Sequence, residues 1–337
     1  MDSISQAALG ATVAVIASRG KSPRRAIVYG AALGTLPDLD VLVSYSNDLL
    51  DTIKHRTWSH SWIVHLFLSP VLAWLIHRFD KTFSFRTWLT LVMLCLFTHA
   101  GLDAMTVYGT DLFWPVSDKN VMIGSIFIID PLFTLPLVIS LIFAWKSQSL
   151  GRTRLMTGIG VTLSSAYLVW GLWAQNHVLD IAESSLHQQG QEFQQILATP
   201  APFNSVLWRV LAINGDRYYE GFRHLSDTDQ SITFSQHSRN LKYLNQLNSQ
   251  SNWQQANNFN HGFNALQLEE GKIVLNDLRM GLQPYYFFRF DLAEQKSETE
   301  FIDSTPNFAS QSFPETKLVR WLWARLTGAT VASFSEF

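Results

Sequence analysis

The sequence predicts an all-α, multi-pass transmembrane domain followed by a smaller α+β or mostly β domain. Of the 337 residues, 47% are hydrophobic and only 15% are charged, a composition too apolar on average for an ordinary soluble enzyme. Long apolar runs dominate up to about residue 175, and the first glutamate in the chain is Glu183. Beyond it the chain is polar, rich in Gln, Asn and Ser, and strand-like. We therefore predict a transmembrane domain over residues 1–175 and a second domain over residues 176–337.

About six membrane helices are predicted, two of them short. A bilayer core needs roughly 20 apolar residues per helix, with about 17 as the lower limit. Four segments are close to this length, at residues 61–76, 87–107, 125–145 and 155–174. The stretches 4–17 and 26–36 are shorter and rich in Ala and Gly, which suits close packing between helices in a membrane. Residues 1–18 lack the basic segment of a cleavable signal, so we expect insertion through retained helices.

Basic residues predict the orientation of these helices. They concentrate in the loops 19–25, 77–86 and 146–154, which the positive-inside rule assigns to the cytoplasm. The segments 37–60 and 108–124 then lie on the extracytoplasmic side, as does the chain after residue 174. We therefore expect the second domain to face the extracytoplasmic side.

The second domain carries no motif that indicates its role. It begins with a predicted helix at 176–197, which ends near Pro200 and Pro202. Alternating or aromatic-rich runs predict strands at 205–213, 231–235, 272–276 and 285–291. The Gln/Asn-rich stretch 245–264 is predicted to be a long loop.

Composition and missing motifs argue against several function classes. The net charge is -2 without a long basic run, so no nucleic-acid partner is predicted. Cys95 is the only cysteine, which excludes an internal disulfide and a Cys-based zinc cluster, and it is interpreted as a small apolar residue of a membrane helix. The sequence contains no His-Glu-x-x-His, the motif of many metalloproteases. Polar residues gather at one membrane surface instead of mid-depth, which disfavours a transporter.

Histidine and aspartate residues form a candidate metal site in the first domain. Six candidate ligands lie in three short segments: Asp38, Asp40, His55, His60, His99 and Asp103. The i, i+4 spacing of His99 and Asp103 places an imidazole and a carboxylate on one helix face, within reach of a shared ion. Ionisable groups inside a membrane cost a few kcal/mol unless they are paired or ligated. The predicted topology brings all six to one depth on the outer side, and ligands of this kind without Cys favour zinc, with manganese or iron as alternatives.

Each part of this pattern also has a purely structural interpretation. The Asp pair after Pro37 is typical of a helix stop, the two histidines before residue 61 suit a membrane interface, and His99 with Asp103 suits a hydrogen bond. Their convergence favours the metal site. His65 is interpreted as a packed histidine with a ligand role as the alternative, and His77 lies beside a cytoplasmic loop. Five histidines of the second domain lack ligand spacing: His177, His187, His224, His237 and His261.

The ordered motifs resemble a known family, the membrane-bound metal-dependent hydrolases of bacteria, also described as LexA-binding, inner-membrane-associated hydrolases. The resemblance covers about residues 1–173. It rests on residues 1–10, 36–40, 55–61, 99–103, 108–110, 114–115 and 126–132. It implies a location in the bacterial inner membrane and a hydrolytic activity.

A more distant resemblance is to the zinc-dependent phospholipase C and single-strand nuclease superfamily. It implies phosphoester hydrolysis. It also implies a ligand set for the first metal, consisting of Asp38 or Asp40 with His60, His99 and Asp103. Many family members carry His where this chain has Gln6, and an amide oxygen is a weaker ligand, which weakens the prediction of a second ion.

The predicted function is therefore metal-dependent hydrolysis of a phosphoester or other ester in a lipid or envelope substrate. The metal would activate water, with Asp40 or Asp38 as general base. Arg56 would hold a substrate anion through its fork of N–H groups, or it is instead a snorkelling interfacial arginine. Asp130 is either a supporting residue of the site or a helix start. The alternative function is a non-catalytic, metal-stabilised membrane scaffold whose C-terminal domain binds a partner; the oligomeric state stays open.

Overall fold

The computed structural model describes residues 1–229, 231–297, 300–312 and 314–327, together with Phe334. Contacts divide the chain into two compact units. The first comprises Met1–Val43, His55–Leu172 and Pro202–Asn204. The second comprises Ser44–Lys54, Trp173–Ala201 and Ser205–Phe337. A helical N-terminal region followed by a sheet-rich C-terminal domain is thus confirmed.

Nine α-helices lie within the described residues. They are α1 (Ser3–Ala17), α2 (Pro23–Thr35), α3 (Asp48–Lys54), α4 (Trp62–Phe79), α5 (Phe85–Ala104), α6 (Pro131–Lys146), α7 (Leu150–Gln188), α8 (Ser251–Phe259) and α9 (Glu315–Leu326). Short 3-10 helices lie at Pro37–Leu42, Trp58–His60 and Leu241–Gln246.

Among the described residues, three helices are long and apolar enough to cross a membrane, namely α4, α5 and α7. Helices α1 and α6 are apolar but have fewer than 18 residues. Helix α2 has 13 residues, which at 1.5 Å per residue is only about 20 Å of helix. Helices of spanning length are therefore present at three of the six predicted places.

Capping residues set where the apolar helices begin. The hydroxyl of Ser61 accepts hydrogen bonds from the first turn of α4, and Asp130 does the same for α6; both satisfy backbone N–H groups that have no partner inside the helix. The prediction that a helix begins at residue 125 is wrong. Ser125 and Ile126 instead donate hydrogen bonds from their N–H groups to the Met105 carbonyl. The helix begins only at Pro131.

The two helices predicted at 155–174 and 176–197 form the single 39-residue helix α7. The predicted end at residue 197 is wrong, since α7 ends at Gln188 and a strand begins at Gln195. Gly190 adopts a φ of 66°, and Gln191 donates to the Leu186 carbonyl. A left-handed glycine just past the last turn is a common way to terminate a helix.

Small residues allow α1 and α2 to approach closely. A Cβ atom added to Gly10 would overlap the Gly30 carbonyl oxygen, and one added to Gly34 would overlap the Gln6 carbonyl oxygen. This confirms the close packing predicted from the Ala/Gly content. Cys95 of α5 is buried against α1, with its thiol 3.4 Å from the Gly10 carbonyl. The interpretation of Cys95 as a buried apolar residue agrees with this position.

The three basic loops meet at one end of the first unit. Arg24 Nε donates to the Trp145 carbonyl at 3.1 Å, Arg154 Nε donates to the Arg19 carbonyl at 2.7 Å, and Arg25 pairs with Asp80 at 2.9 Å. Helix α4 ends beside this cluster and has 18 residues, a length of about 27 Å. The start of α4 therefore lies at the opposite end of the unit.

The second unit contains two four-stranded antiparallel sheets and a short ribbon within its described residues. The first sheet runs β1-β2-β3-β4 and the second runs β10-β9-β6-β5, while β7 and β8 pair with each other. The strands are β1 (Gln195–Pro200), β2 (Leu207–Asn214), β3 (Arg217–His224), β4 (Phe234–Ser238), β5 (Asn264–Glu269), β6 (Lys272–Asp277), β7 (Gly281–Leu282), β8 (Tyr285–Tyr286), β9 (Arg289–Gln295) and β10 (Phe301–Asp303).

Strands β2 and β6 confirm the predictions at 205–213 and 272–276. The run predicted at 285–291 is instead split into β8 and β9, which belong to different sheets. The long loop predicted at 245–264 is wrong, because α8 occupies part of it and buries Ala256 and Phe259. Helix α8 has few apolar residues and many Gln and Asn residues, so the sequence shows no apolar periodicity that would predict it.

Candidate metal centre

Four of the six predicted ligands meet in the first unit. Asp38, His60, His99 and Asp103 offer ligand atoms that all lie within 4.8 Å of one another. The side chains of His60, His99 and Asp103 are fully buried, whereas that of Asp38 is 19% exposed. Within the described residues this is the group that could hold a metal ion.

Local structure positions each of these side chains. A proline begins the 3-10 helix directly after α2, where its missing N–H costs nothing, and Asp38 follows in the first turn. His60 ends the short 3-10 helix that leads into α4. His99 and Asp103 lie one turn apart near the C-terminal end of α5, as the i, i+4 spacing predicts. Three separate segments therefore supply the four residues.

The spacing of the donor atoms suits a bound metal ion. His60 Nε2 lies 3.4 Å from Asp38 Oδ1 and 3.1 Å from Asp103 Oδ2. His99 Nε2 lies 3.5 Å from Asp38 Oδ1 and 3.3 Å from Asp103 Oδ2. The two Nε2 atoms are 3.0 Å apart. Ligand bonds of about 2.0–2.1 Å in a tetrahedron require donor atoms about 3.3–3.4 Å apart. Five of the six separations are therefore close to those of a zinc site, and all four ligand atoms lie within 4.8 Å of one another.

Hydrogen bonds on the far side of each imidazole fix its tautomer. His99 Nδ1 lies 2.6 Å from the Gly34 carbonyl, which can only accept, so Nδ1 carries the proton. His60 Nδ1 lies 2.9 Å from Ser59 Oγ, and the Ser59 hydroxyl donates to Asp40 Oδ2 at 2.5 Å. His60 Nδ1 therefore also donates. Such contacts orient histidine ligands in metal sites.

The neutral imidazoles then direct two lone pairs at the same point. In the neutral form of both rings, with the proton on Nδ1, neither Nε2 has a proton to share across the 3.0 Å that separates them. Asp103 Oδ2, which faces both nitrogens, is buried and receives no hydrogen bond. Buried polar atoms are almost always paired. A bound cation would provide the missing partner for these lone pairs.

The second carboxylate oxygen of Asp103 is held by positive and polar groups. Gln6 Nε2 donates to Asp103 Oδ1 at 2.9 Å and to the His99 carbonyl at 3.2 Å. Arg56 approaches the same oxygen at 3.5 Å, and the amino group of Met1 also contacts it. Gln6 thus donates through its amide nitrogen to a predicted ligand.

Asp40 and His55 lie beside the four-residue group and contact each other. His55 Nδ1 is 2.7 Å from Asp40 Oδ1, and Asp40 Oδ2 accepts hydrogen bonds from Ser59 Oγ and from the Arg56 backbone N–H. Burial by itself raises the pKa of Asp40, but the contacts with His55 and Ser59 outweigh it and hold that pKa below its usual range. The structure therefore surrounds Asp40 with donors instead of joining it to the other four.

Asp38 is ionised for a related reason. Burial raises the pKa of this carboxyl, yet its close contacts with the rings of His60 and His99 outweigh burial and hold the pKa well below its usual range. An acidic group in that state is a ready ligand for a divalent cation, because metal ligands must be deprotonated.

Arg56 points inward. The residue is 5% exposed, its guanidinium lies 3.3 Å from Thr106 Oγ1, and it sits 4.9 Å from the centre of the Tyr108 ring. Its backbone φ is 66°, an unfavourable value for a residue with a side chain. The local fold therefore holds a cation beside the carboxylate of Asp103.

The other candidates have structural contacts. His65 Nε2 lies 2.7 Å from the Ser59 carbonyl, and His77 packs against Phe85. Asp130 caps α6 and accepts a hydrogen bond from Tyr167, which agrees with its interpretation as a helix start. The role of Ser59 could not be predicted from its residue type, because serines are too common in polar loops to be singled out.

Comparisons with known proteins support the membrane part of this description. The profile of the YdjM inner membrane protein family matches residues 1–178. The chain is also 25% identical over 220 residues to "Uncharacterized protein YfhP" of Bacillus subtilis (strain 168). That alignment covers 64% of each protein, so the chain spans just under two thirds of the relative's length. No solved structure matches the chain. Since the profile covers more than half of the residues, the chain belongs to the YdjM inner membrane protein family.

Proposed function

We propose that the chain is a membrane-embedded, metal-dependent hydrolase that cleaves a phosphoester, or another ester, of a lipid or envelope substrate. The observation that carries the proposal is the set of two imidazole nitrogens and two carboxylate oxygens that all lie within 4.8 Å of one another. Partial exposure of Asp38, at 19%, leaves one side of this set accessible. Four protein ligands are typical of structural zinc sites, so catalysis would require water to bind on the exposed side, next to Asp38, as a fifth ligand, which catalytic zinc can accept.

Zinc is the cation that the donor set suits best, with manganese or iron as alternatives. Asp38, His60, His99 and Asp103 would hold it. A divalent cation bound there would supply a Lewis acid for a phosphoryl or carbonyl oxygen and would make water a stronger nucleophile at neutral pH.

The residues around this set have distinct roles in the proposal. Asp40 keeps His55 in place through one oxygen and, through Ser59, orients His60 with the other. Arg56 supplies a buried positive charge and a planar fork of N–H groups, the geometry that suits a phosphoryl anion. Its burial strengthens that attraction relative to a solvated arginine.

The proposed location is the bacterial inner membrane, with several spans and with the site and the C-terminal domain on the extracytoplasmic side. The meeting of the three basic loops at one end of the first unit supports this orientation, because the positive-inside rule assigns all of them to the cytoplasm. The start of α4, next to His60, lies at the other end. A site at the outer end of the membrane helices favours a substrate that resides in the membrane.

One observation favours a second function. Three of the four candidate ligands are fully buried, as expected for a structural site in a non-catalytic scaffold. In that case the metal would stabilise the membrane unit, and the C-terminal domain would bind a partner.

Metal content and hydrolysis, measured on the same detergent-purified samples, separate these functions. We expect near-stoichiometric zinc or manganese and turnover of a phosphodiester in the wild type, and loss of both in the double variant His99→Ala/Asp103→Ala. His77→Ala is the matched control, because His77 lies at the far end of α4. Metal without turnover of any ester would favour the scaffold, and a metal-free wild type would exclude both functions.

A further inference from the structure

We propose that an apolar cavity beside the metal centre binds one acyl chain of a membrane phospholipid whose head group reaches the site; this inference rests on the proposed function. The cavity has a volume of about 280 Å³. Its apolar lining includes Leu36, Leu39, Val43, Val64, Leu68 and Leu96. Polar residues, Asp40, Ser59 and His65, also line it.

The walls of the cavity are built from the same segments that carry the candidate ligands. Pro37 of the lining precedes Asp38, and Ser59 of the lining precedes His60. Leu96 lies three residues before His99 on α5. An amphiphile that placed its head at the metal centre would therefore have an apolar space within one helical turn for its tail.

The membrane is the natural source of this tail. Val64 and Leu68 line the cavity, while Leu66, Phe67 and Val71 on the same helix are 50%, 72% and 58% exposed. Because α4 is long and apolar enough to span a bilayer, its exposed apolar face lies against lipid. One helix thus has residues facing both the lipid and the cavity.

The rim of the cavity is apolar as well. Leu39 is 54% exposed, and its neighbours Val41 and Leu42 are 71% and 78% exposed. Trp58, another lining residue, is 43% exposed. Exposed apolar groups in this number mark a surface that contacts lipid or a partner, and a tryptophan is typical of the membrane interface. A hydrocarbon chain could therefore enter without crossing a polar barrier.

The size of the cavity limits the occupant to one chain segment. A group the size of a water molecule takes roughly 30 Å³, and a methylene is of similar size, so the space holds about nine methylenes. A chain that moves from bilayer to cavity exchanges one apolar environment for another. We therefore expect the cavity to select and position the substrate, with little gain in affinity from the membrane.

Photolabelling tests the occupant directly. The full chain is placed in nanodiscs of phosphatidylethanolamine and phosphatidylglycerol that contain a phosphatidylglycerol with a diazirine in the first half of one acyl chain. We expect mass spectrometry to find labels on Val64, Leu68 or Leu96 in addition to the lipid-facing side chains. Leu68→Trp, which fills the cavity, should remove the cavity labels, whereas the control Leu66→Trp on the exposed face should retain them.

One further measurement and one further variant show whether a loss of labelling results from misfolding. Metal content should be the same in both tryptophan variants, and Val64→Phe provides a second, smaller filling of the cavity. Labels confined to exposed residues such as Leu66 and Phe67 in the wild type would overturn the inference. So would cavity labels that persist in correctly metallated Leu68→Trp and Val64→Phe.

Turnover of water-soluble alkyl phosphodiesters separates this inference from the proposed function. Below their critical micelle concentrations, kcat/KM should rise with chain length by up to about fourfold per buried methylene and level off near nine carbons. Turnover without chain-length dependence and without cavity labelling would contradict the acyl site alone. Cavity labelling without turnover of any ester would contradict the hydrolase and leave the cavity as a lipid site.

Discussion

His60 and His99 face each other through their Nε2 atoms at a distance of 3.0 Å. Each ring donates from Nδ1 to a fixed acceptor on its other side, so the facing atoms are both lone-pair donors in the neutral rings. Two carboxylate oxygens complete the cluster. A cation at its centre would replace mutual repulsion by four attractive contacts.

Removal of the metal should therefore destabilise the protein. A ligand that binds only the folded state contributes about 2.7 kcal/mol when its free concentration is one hundredfold above its Kd. We expect the thermal midpoint in detergent to fall on chelation and to recover with added zinc. The His99→Ala/Asp103→Ala variant should be insensitive to the chelator. An unchanged midpoint in the chelated wild type would argue against a bound metal.

Ser59→Ala should weaken metal binding without removing a ligand. The hydroxyl of Ser59 connects His60 Nδ1 to Asp40, and supporting contacts of this kind change metal affinity by about 10-fold to 100-fold. Zinc affinity, measured by competition with a chelating dye, should fall within that range. Ser69→Ala is the matched control, since its buried hydroxyl bonds only to the His65 carbonyl. Equal affinities in the two variants would contradict the orienting role of Ser59.

Arg56→Gln should separate activity from metal binding. Arg56 lies 3.5 Å from Asp103, and its positive charge repels a metal ion bound to that carboxylate. Without this charge, metal affinity should be retained or increased. Phosphodiester turnover should nevertheless fall by about 10²–10³, the usual cost of one lost donor at a developing anion. Arg25→Gln, which removes an exposed arginine from the basic end of the unit, should leave both properties unchanged. Full activity in metallated Arg56→Gln would refute the proposed role.

His237 should make the stability of the second unit depend on pH. Burial lowers the pKa of His237, Glu220 opposes this effect and Arg209 adds to it. Because the folded-state pKa lies below the unfolded value of about 6.5, the unfolded chain binds more protons in the interval between the two values, and stability rises with pH there. The contribution is independent of pH above about 6.5 and is lost as the pH falls toward the folded-state pKa.

The thermal midpoint of the full chain, measured after chelation, should therefore fall less on acidification from about pH 7.5 to 5.5 in His237→Gln than in the wild type. His187→Gln, a substitution at an exposed histidine of α7, provides the control. Identical pH profiles for His237→Gln and the wild type would show that burial of His237 carries no such penalty.

Much of the site could be predicted because its residues follow local rules. The i, i+4 spacing of His99 and Asp103 survives in α5, and Asp38 follows a helix that a proline ends. It could not be predicted that Asp38 joins the four-residue group while Asp40 does not, because both carboxylates belong to one short turn. The 3-10 geometry of Pro37–Leu42 places Asp38 near Nε2 of His60 and Asp40 near Nδ1 of the same ring.

The fold was predictable where apolar runs are long, and less predictable where a single residue determines the start or end of a helix. Strands β2 and β6 follow from their apolar content. The end of α7 depends on the left-handed conformation of Gly190, and the start of α6 depends on Asp130 acting as a cap. Helix α8 was missed because its stability comes from two buried residues, Ala256 and Phe259, and not from a repeating apolar pattern.

X-ray absorption at the zinc edge of the purified protein tests the central claim most directly. The four-residue centre predicts one zinc per chain with two imidazole nitrogens and oxygen ligands at about 2.0–2.1 Å, and a signal that disappears in His60→Ala. A sulfur ligand at about 2.3 Å, or zinc retained with unchanged ligands in His60→Ala, would contradict it.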